Sequence, residues 1–183
     1  MEAPRYRGIA RVSNLVDNFN ESVGRAVSWL TLVMVLVTFT VVVLRYLFNI
    51  GWIAMQESVT YMHGIVFMLG AAYTLKHSGH VRVDLIYRSR SPRTQAWLDL
   101  FGALLLLLPV CVFIAWVSWD YIAASWSVWE TSPEAGGIPA VFLLKTVILV
   151  MAVLMIMQGV SQFLRCLLYL LTPEDGADPE TGA

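Results

Sequence analysis

Four long apolar runs alternate with short polar connections along the chain, at 26–48, 53–75, 96–119 and 138–160. Each supplies the ~20 apolar residues needed to cross a hydrocarbon core of ~30 Å. Backbone N–H and C=O groups in lipid must be paired within their own segment or in a closed barrel, so runs this long read as helices. Val and Thr are frequent in the first run and favour strands in water, but the run is too long for a buried strand. The fourth run keeps its pattern to about Leu171. The pattern predicts an all-α integral membrane protein with four transmembrane helices.

The flanks follow other rules. In residues 9–24, Ile9, Val12, Val16, Phe19 and Val23 recur at spacings of three and four, while Arg11, Asn14, Asp17, Asn18 and Glu21 fill the remaining surface. This is an amphipathic helix, too polar to span, and it is expected in the headgroup plane ahead of the first span. Residues 1–8 and the acidic tail 172–183 read as disorder, which leaves 25–171 as one four-helix membrane domain. The first run is longer than the core of a signal peptide and ends in Arg45-Tyr46-Leu47-Phe48-Asn49 without a small-x-small cleavage site, so it is expected to be retained.

Composition agrees with a lipid solvent. Hydrophobic residues make up 58% of the 183 residues, charged residues 14%, and the mean hydropathy is +0.68. Cys111 and Cys166 both lie in apolar runs, and two cysteines so placed supply neither a disulfide scaffold nor a metal knuckle. The formal net charge is only −1, but the basic residues are unevenly placed. Arg5, Arg7, Arg11 and Arg25 precede the first span, and Lys76, Arg82, Arg88, Arg90 and Arg93 fill the second connection. The third connection, 120–137, has none. The excess of Lys and Arg on cytoplasmic loops therefore places both termini and the second connection in the cytoplasm. Trp52, Trp116, Trp119, Trp126 and Trp129 cluster at the opposite, outer end, where an aromatic belt belongs.

Ionisable residues inside spans are expensive and need a partner or a purpose. Glu57 lies about one turn into the second run, Arg45 near the outer end of the first, and Lys145 about two turns into the fourth. Their similar depth predicts that Glu57 pairs with Arg45 or Lys145, within the chain or across an interface. His63 lies two turns beyond Glu57. Haem ligation by two histidines needs a second one opposite it, and His77 and His80 sit at the end of the same helix, so His63 reads as a packing or helix-to-helix hydrogen-bonding group. Pro109 falls mid-span in the third run and predicts a bend. No phosphate loop, dinucleotide fingerprint, zinc-protease helix or serine elbow is present. Nor is there a pair of interrupted helices at midplane, the usual mark of a transporter's own substrate site. No enzyme and no cofactor is predicted.

In order along the chain stand Arg45-Tyr46 closing the first span, and Trp52 with Gln56-Glu57 opening the second. Gly70-Ala71-Ala72 follows, then Lys76, His80, Val81, Val83 and Asp84, and Gly137-Ile138-Pro139 leads into a last helix containing Lys145. In this order the chain resembles the small permease subunit of tripartite ATP-independent periplasmic (TRAP) transporters, over roughly residues 10–170. The resemblance implies a scaffold in the bacterial cell inner membrane beside a large permease subunit that carries the transport machinery and its sodium sites. It also implies a periplasmic solute-binding protein that brings an organic acid to the outer face. On that basis Arg45, Glu57 and Lys145 are scaffold or interface residues, Trp52, Trp126, Trp129 and Glu130 face the binding protein, and Lys76, His80 and Asp84 form a cytoplasmic motif. The other readings of four such spans are a membrane anchor of a respiratory enzyme, which needs haem or quinone ligands, and a small homo-oligomeric channel, which needs a repeated polar stripe.

Overall fold

A computed structural model describes residues 4–77, 79, 87 and 90–171, with side chains from residue 8 onward. His80 and Asp84 of the expected cytoplasmic motif, and the tail 172–183, lie outside the described residues. All regular structure among the described residues is helical: α1 (Pro4–Phe48), α2 (Ile53–Lys76), α3 (Pro92–Gly102), a π turn (Ala103–Leu107), α4 (Leu108–Ser127) and α5 (Val141–Leu171). α3, the π turn and α4 run on as one rod, so the bundle has four helices long and apolar enough to cross a membrane.

One difference from the sequence reading is continuity. Residues 9–24, expected as a separate helix in the headgroup plane, are the first part of α1, which has no break before Phe48. At 1.5 Å per residue its 45 residues reach about 68 Å, far beyond one hydrocarbon core. Gly24, the natural place for a break, instead serves packing: a Cβ there would run into the Tyr73 ring of α2. The two faces of this segment are not divided as the periodicity suggests: Arg11, Asn14 and Asn18 stay exposed, and Ile9, Val16 and Val23 are half-buried. Ser13, Asp17 and Asn20 are buried, while Val12, Leu15 and Phe19 are exposed. Ser13, Asp17 and Asn20 thus turn onto α5, Val23 turns onto the core, and Val12, Leu15 and Phe19 turn outward.

Pro109 is accommodated without ending the third rod. Proline has no N–H to give and its ring crowds the carbonyl four residues back. The turn ahead of it widens, and the Leu108 N–H reaches the carbonyl of Ala103, five residues back. α3 begins at Pro92 behind Ser91, whose hydroxyl accepts the Thr94 N–H as an N-cap. Where α1 ends, Asn49 adopts φ 54° and the Ile50 N–H reaches the Leu44 carbonyl at 3.0 Å, closing the helix with a left-handed residue. That closure turns the chain into α2 within four residues and makes α1 and α2 antiparallel neighbours.

The interior is small. Ala72, Cys111, Leu154 and Met155 form the buried apolar centre, where α2, α4 and α5 meet, and Val23 of α1 packs against it. Most large apolar side chains of the spans point outward, as they do when lipid, rather than a protein core, is their solvent. Asn49→Gly should leave stability unchanged. Asn49→Val, with a β-branched side chain forced to positive φ, should lose about 1–2 kcal/mol, read as the change in unfolding free energy in detergent; an unchanged Val variant would remove the left-handed closure from the account.

Candidate functional site

The connection from α4 to α5 is a loop held by side chains from two helices. α4 closes through the Glu130 N–H on the Ser125 carbonyl, 3.0 Å, with Trp129 at φ 48°. The loop then folds on itself. The Ser132 N–H meets the Ile138 carbonyl at 3.3 Å, the Gly137 N–H meets the Glu134 carbonyl at 3.0 Å, and Gly136 takes φ 83°. Glu57 enters from α2. One carboxylate oxygen accepts the Ser132 hydroxyl and the other accepts the Ile138 N–H at 2.7 Å. Gly137 is what lets the carboxylate in, because a Cβ at that position would strike Ser132 and Glu57.

A second tie lies beside it. Lys145, one turn into α5, donates to Glu130 and stands over the Tyr121 ring of α4, 4.0 Å from its centroid. Trp126 donates its indole N–H to Thr146 at 2.9 Å and packs edge-on against Phe142 and Trp129. The Lys145 ammonium holds the Glu130 carboxyl below the usual carboxylate range, helped by Ser125.

The structure therefore separates the residues expected to pair. Glu57 meets neither Arg45 nor Lys145: it holds the loop, while Lys145 takes Glu130. Arg45 is exposed on α1 with no acidic partner among the described residues. The reason is depth and direction. Glu57 and Lys145 are indeed near one end, but the folded loop interposes its own donors between them. Ser132 and the Ile138 N–H carried no signal as partners of Glu57, since a loop hydroxyl and a backbone amide look alike everywhere in a sequence. Trp52 and Trp129 are exposed at this end, whereas Trp126 is partly covered by its ring contacts.

The opposite end carries a larger polar layer. Asp17, almost fully buried, accepts Gln158 at 3.0 Å and Ser161 at 2.9 Å, and its second oxygen pairs with Arg165. Asn20 donates to Gln158 at 2.7 Å. Glu21 takes Lys76 at 2.9 Å, His77 at 2.8 Å and Arg25 at 2.9 Å, and the Lys76 ammonium also donates to the Asp17 carbonyl at 3.1 Å. Lys76 thus ties the end of α2 to α1. Asp17 read as surface in the sequence, because the amphipathic pattern alone does not say which face turns inward.

Fold and polar layers together define a multi-pass helical membrane protein whose polar groups hold helices and a loop in register. Its family follows from comparison: residues 34–168, well over half of the chain, match the family model described as tripartite ATP-independent periplasmic transporters, DctQ component. The chain belongs to that family, and it is a component of a transporter rather than an enzyme. Searches of curated proteins and of solved structures find no match.

Two outcomes test the loop. Glu57→Ala and Gly137→Ala should each speed proteolytic cleavage within 128–140 while helical circular dichroism stays constant; equal cleavage rates would mean that the carboxylate does not restrain the loop. The acid response is separate. Because the folded Glu130 carboxyl sits below its ordinary value of 4.5, its contribution is complete above that pH and disappears as pH falls through the folded value. Thermal stability should therefore fall more steeply below about pH 4.5 in the parent than in Glu130→Gln.

Proposed function

We propose that this chain is the small scaffold subunit of a sodium-driven TRAP transporter that takes up an organic acid across the bacterial inner membrane. It packs beside the large permease subunit and offers the 128–140 loop, with Trp52 and Trp129, to the periplasmic solute-binding protein. The observation that carries this reading is the loop pinned by Glu57. A loop with preset shape loses little freedom on binding a partner, which is how preorganisation favours association. The exposed Trp129 gives that loop an aromatic side chain of the kind enriched at protein interfaces.

Orientation is part of the proposal. Arg25, Lys76, Arg90, Arg93 and Arg165 belong to the end of Glu21 and Asp17, while Arg45 and Lys145 are the basic residues near the Glu57 end. The excess of cations belongs in the cytoplasm, which sets Glu57 and its loop on the periplasmic side with both termini inside. Sodium and solute are bound by the large subunit and the binding protein, and this chain needs no cofactor.

Gentle solubilisation of the tagged protein from its native membrane should recover a larger polytopic partner in equal amount, and cells should take up an organic anion only with sodium present. Trp52→Ala with Trp129→Ala should lower binding-protein capture and uptake but leave recovery of the large subunit unchanged. A haem- or quinone-linked enzyme in the eluate, or a homo-oligomer without a larger partner, would sink the reading.

A further inference from the structure

α2 is half-buried along most of its length. Of its 24 residues, only Gln56, Thr60, His63 and Phe67 are exposed. Their spacing of four, three and four puts them on one line along the helix. Three of the four are polar. His63 lies ten residues beyond the start of α2, about 15 Å along an axis of about 36 Å, and so near the middle of the span. Its ring stacks beside Phe67, centroids 6.5 Å apart, and neither ring nitrogen has a hydrogen-bond partner among the described residues. The side chains of Thr60 and Gln56 are unpartnered among them too.

The rest of the outer surface is different. On α1 the exposed residues include Trp29, Leu32, Leu36 and Phe39, and the hydroxyls of Thr38 and Thr40 fold back onto the carbonyls of Met34 and Leu36 at 2.7 and 2.8 Å. On α4 they include Val112, Phe113, Trp116 and Val117. Those faces suit hydrocarbon. An imidazole at midspan with free donor and acceptor nitrogens does not, because lipid offers it nothing and polar groups inside membranes face protein or a water-filled cavity.

The polar line also runs into a groove. Below His63, Phe67 and Gly70 of α2 join Gly24, Val27, Ser28 and Thr31 of α1 around an open cleft of about 560 Å³. Space beside Gly70 is empty, with no atom within 4 Å of where its Cβ would be. Small residues of this kind let a neighbouring helix approach closely.

We infer that the Gln56–Thr60–His63–Phe67 line and the groove below it seat a transmembrane helix of the large permease subunit, with His63 hydrogen-bonded to that helix at midmembrane. The inference rests on the scaffold reading above and adds to it which face meets the partner. The occupant is a protein helix rather than a lipid chain because the unpaired imidazole of His63 needs a donor or acceptor at a depth where lipid has none. A partner presenting a hydroxyl, amide or carboxyl group opposite His63 supplies one, and a side-chain ridge fills the groove beside Gly70.

A photo-crosslinking residue placed singly at 63, 67, 36 or 113 in the full transporter complex reads the contact directly. Positions 63 and 67 should label the large subunit, while 36 and 113 should label lipid. His63→Leu should cut recovery of the large subunit by roughly 3- to 30-fold, the range set by single polar contacts between membrane helices. The thermal stability of the small subunit should not fall, since His63 makes no hydrogen bond among the described residues. If 63 and 67 label only lipid, or a second copy of this chain, while the large subunit still co-purifies, the assigned face is wrong and the scaffold reading stands. If no large subunit is recovered from the parent protein, it is the scaffold reading that fails.

Discussion

The contact of Asp17 with Gln158, Ser161 and Arg165 fixes how α1 and α5 lie against each other. A buried carboxylate in a low-dielectric setting is tolerable only with its oxygens met, and α5 supplies three donors to it. This dictates the rotation of α1: Ser13, Asp17 and Asn20 must face α5, so Val12, Leu15 and Phe19 must face outward. It also sets the depth of α2, because Lys76 is bound to both Glu21 and the Asp17 carbonyl. In a bundle with so small an apolar interior, hydrophobic burial does not choose among helix rotations, since lipid receives apolar side chains as readily as a neighbouring helix does. Polar contacts make the choice.

The other end of the bundle obeys the same logic with a different product. There the ionisable residues hold a loop instead of joining helices. Glu57 reaches across from α2 to the Ser132 hydroxyl and the Ile138 amide, and Lys145 reaches from α5 to Glu130. Each restraint comes from a helix, so the loop inherits the rigidity of the bundle. A membrane subunit that performs no chemistry has two things to offer a larger assembly, a surface within the membrane and a surface outside it. The seam on α2 and the pinned loop are of those two kinds, and both begin within one turn on α2, at Gln56 and Glu57.

Polar residues in spans are often read one by one as candidate sites. Here they sort by whether they are satisfied. Glu57, Lys145, Asp17 and Gln158 have partners inside the chain and serve its architecture. The hydroxyls of Thr38 and Thr40 are quieted by their own helix. Thr60 and His63 are exposed and have neither arrangement among the described residues, and that difference, rather than residue type, is what marks the face proposed to meet a partner.

Much of the architecture is legible in the sequence, because apolar length is a direct consequence of bilayer thickness and needs no knowledge of neighbours. Four spanning helices and the tight link from α1 to α2 follow from it. The order of Arg45-Tyr46, Gln56-Glu57, Lys76 and Gly137-Ile138-Pro139 carries the family. What it does not contain is rotation and partner choice. The periodicity of 9–24 reveals two faces without saying which is turned inward, and Glu57 and Lys145 near one end look like a pair until the loop comes between them. These are decided by three-dimensional juxtaposition of residues up to 151 positions apart, at energies of single hydrogen bonds, which no local pattern records.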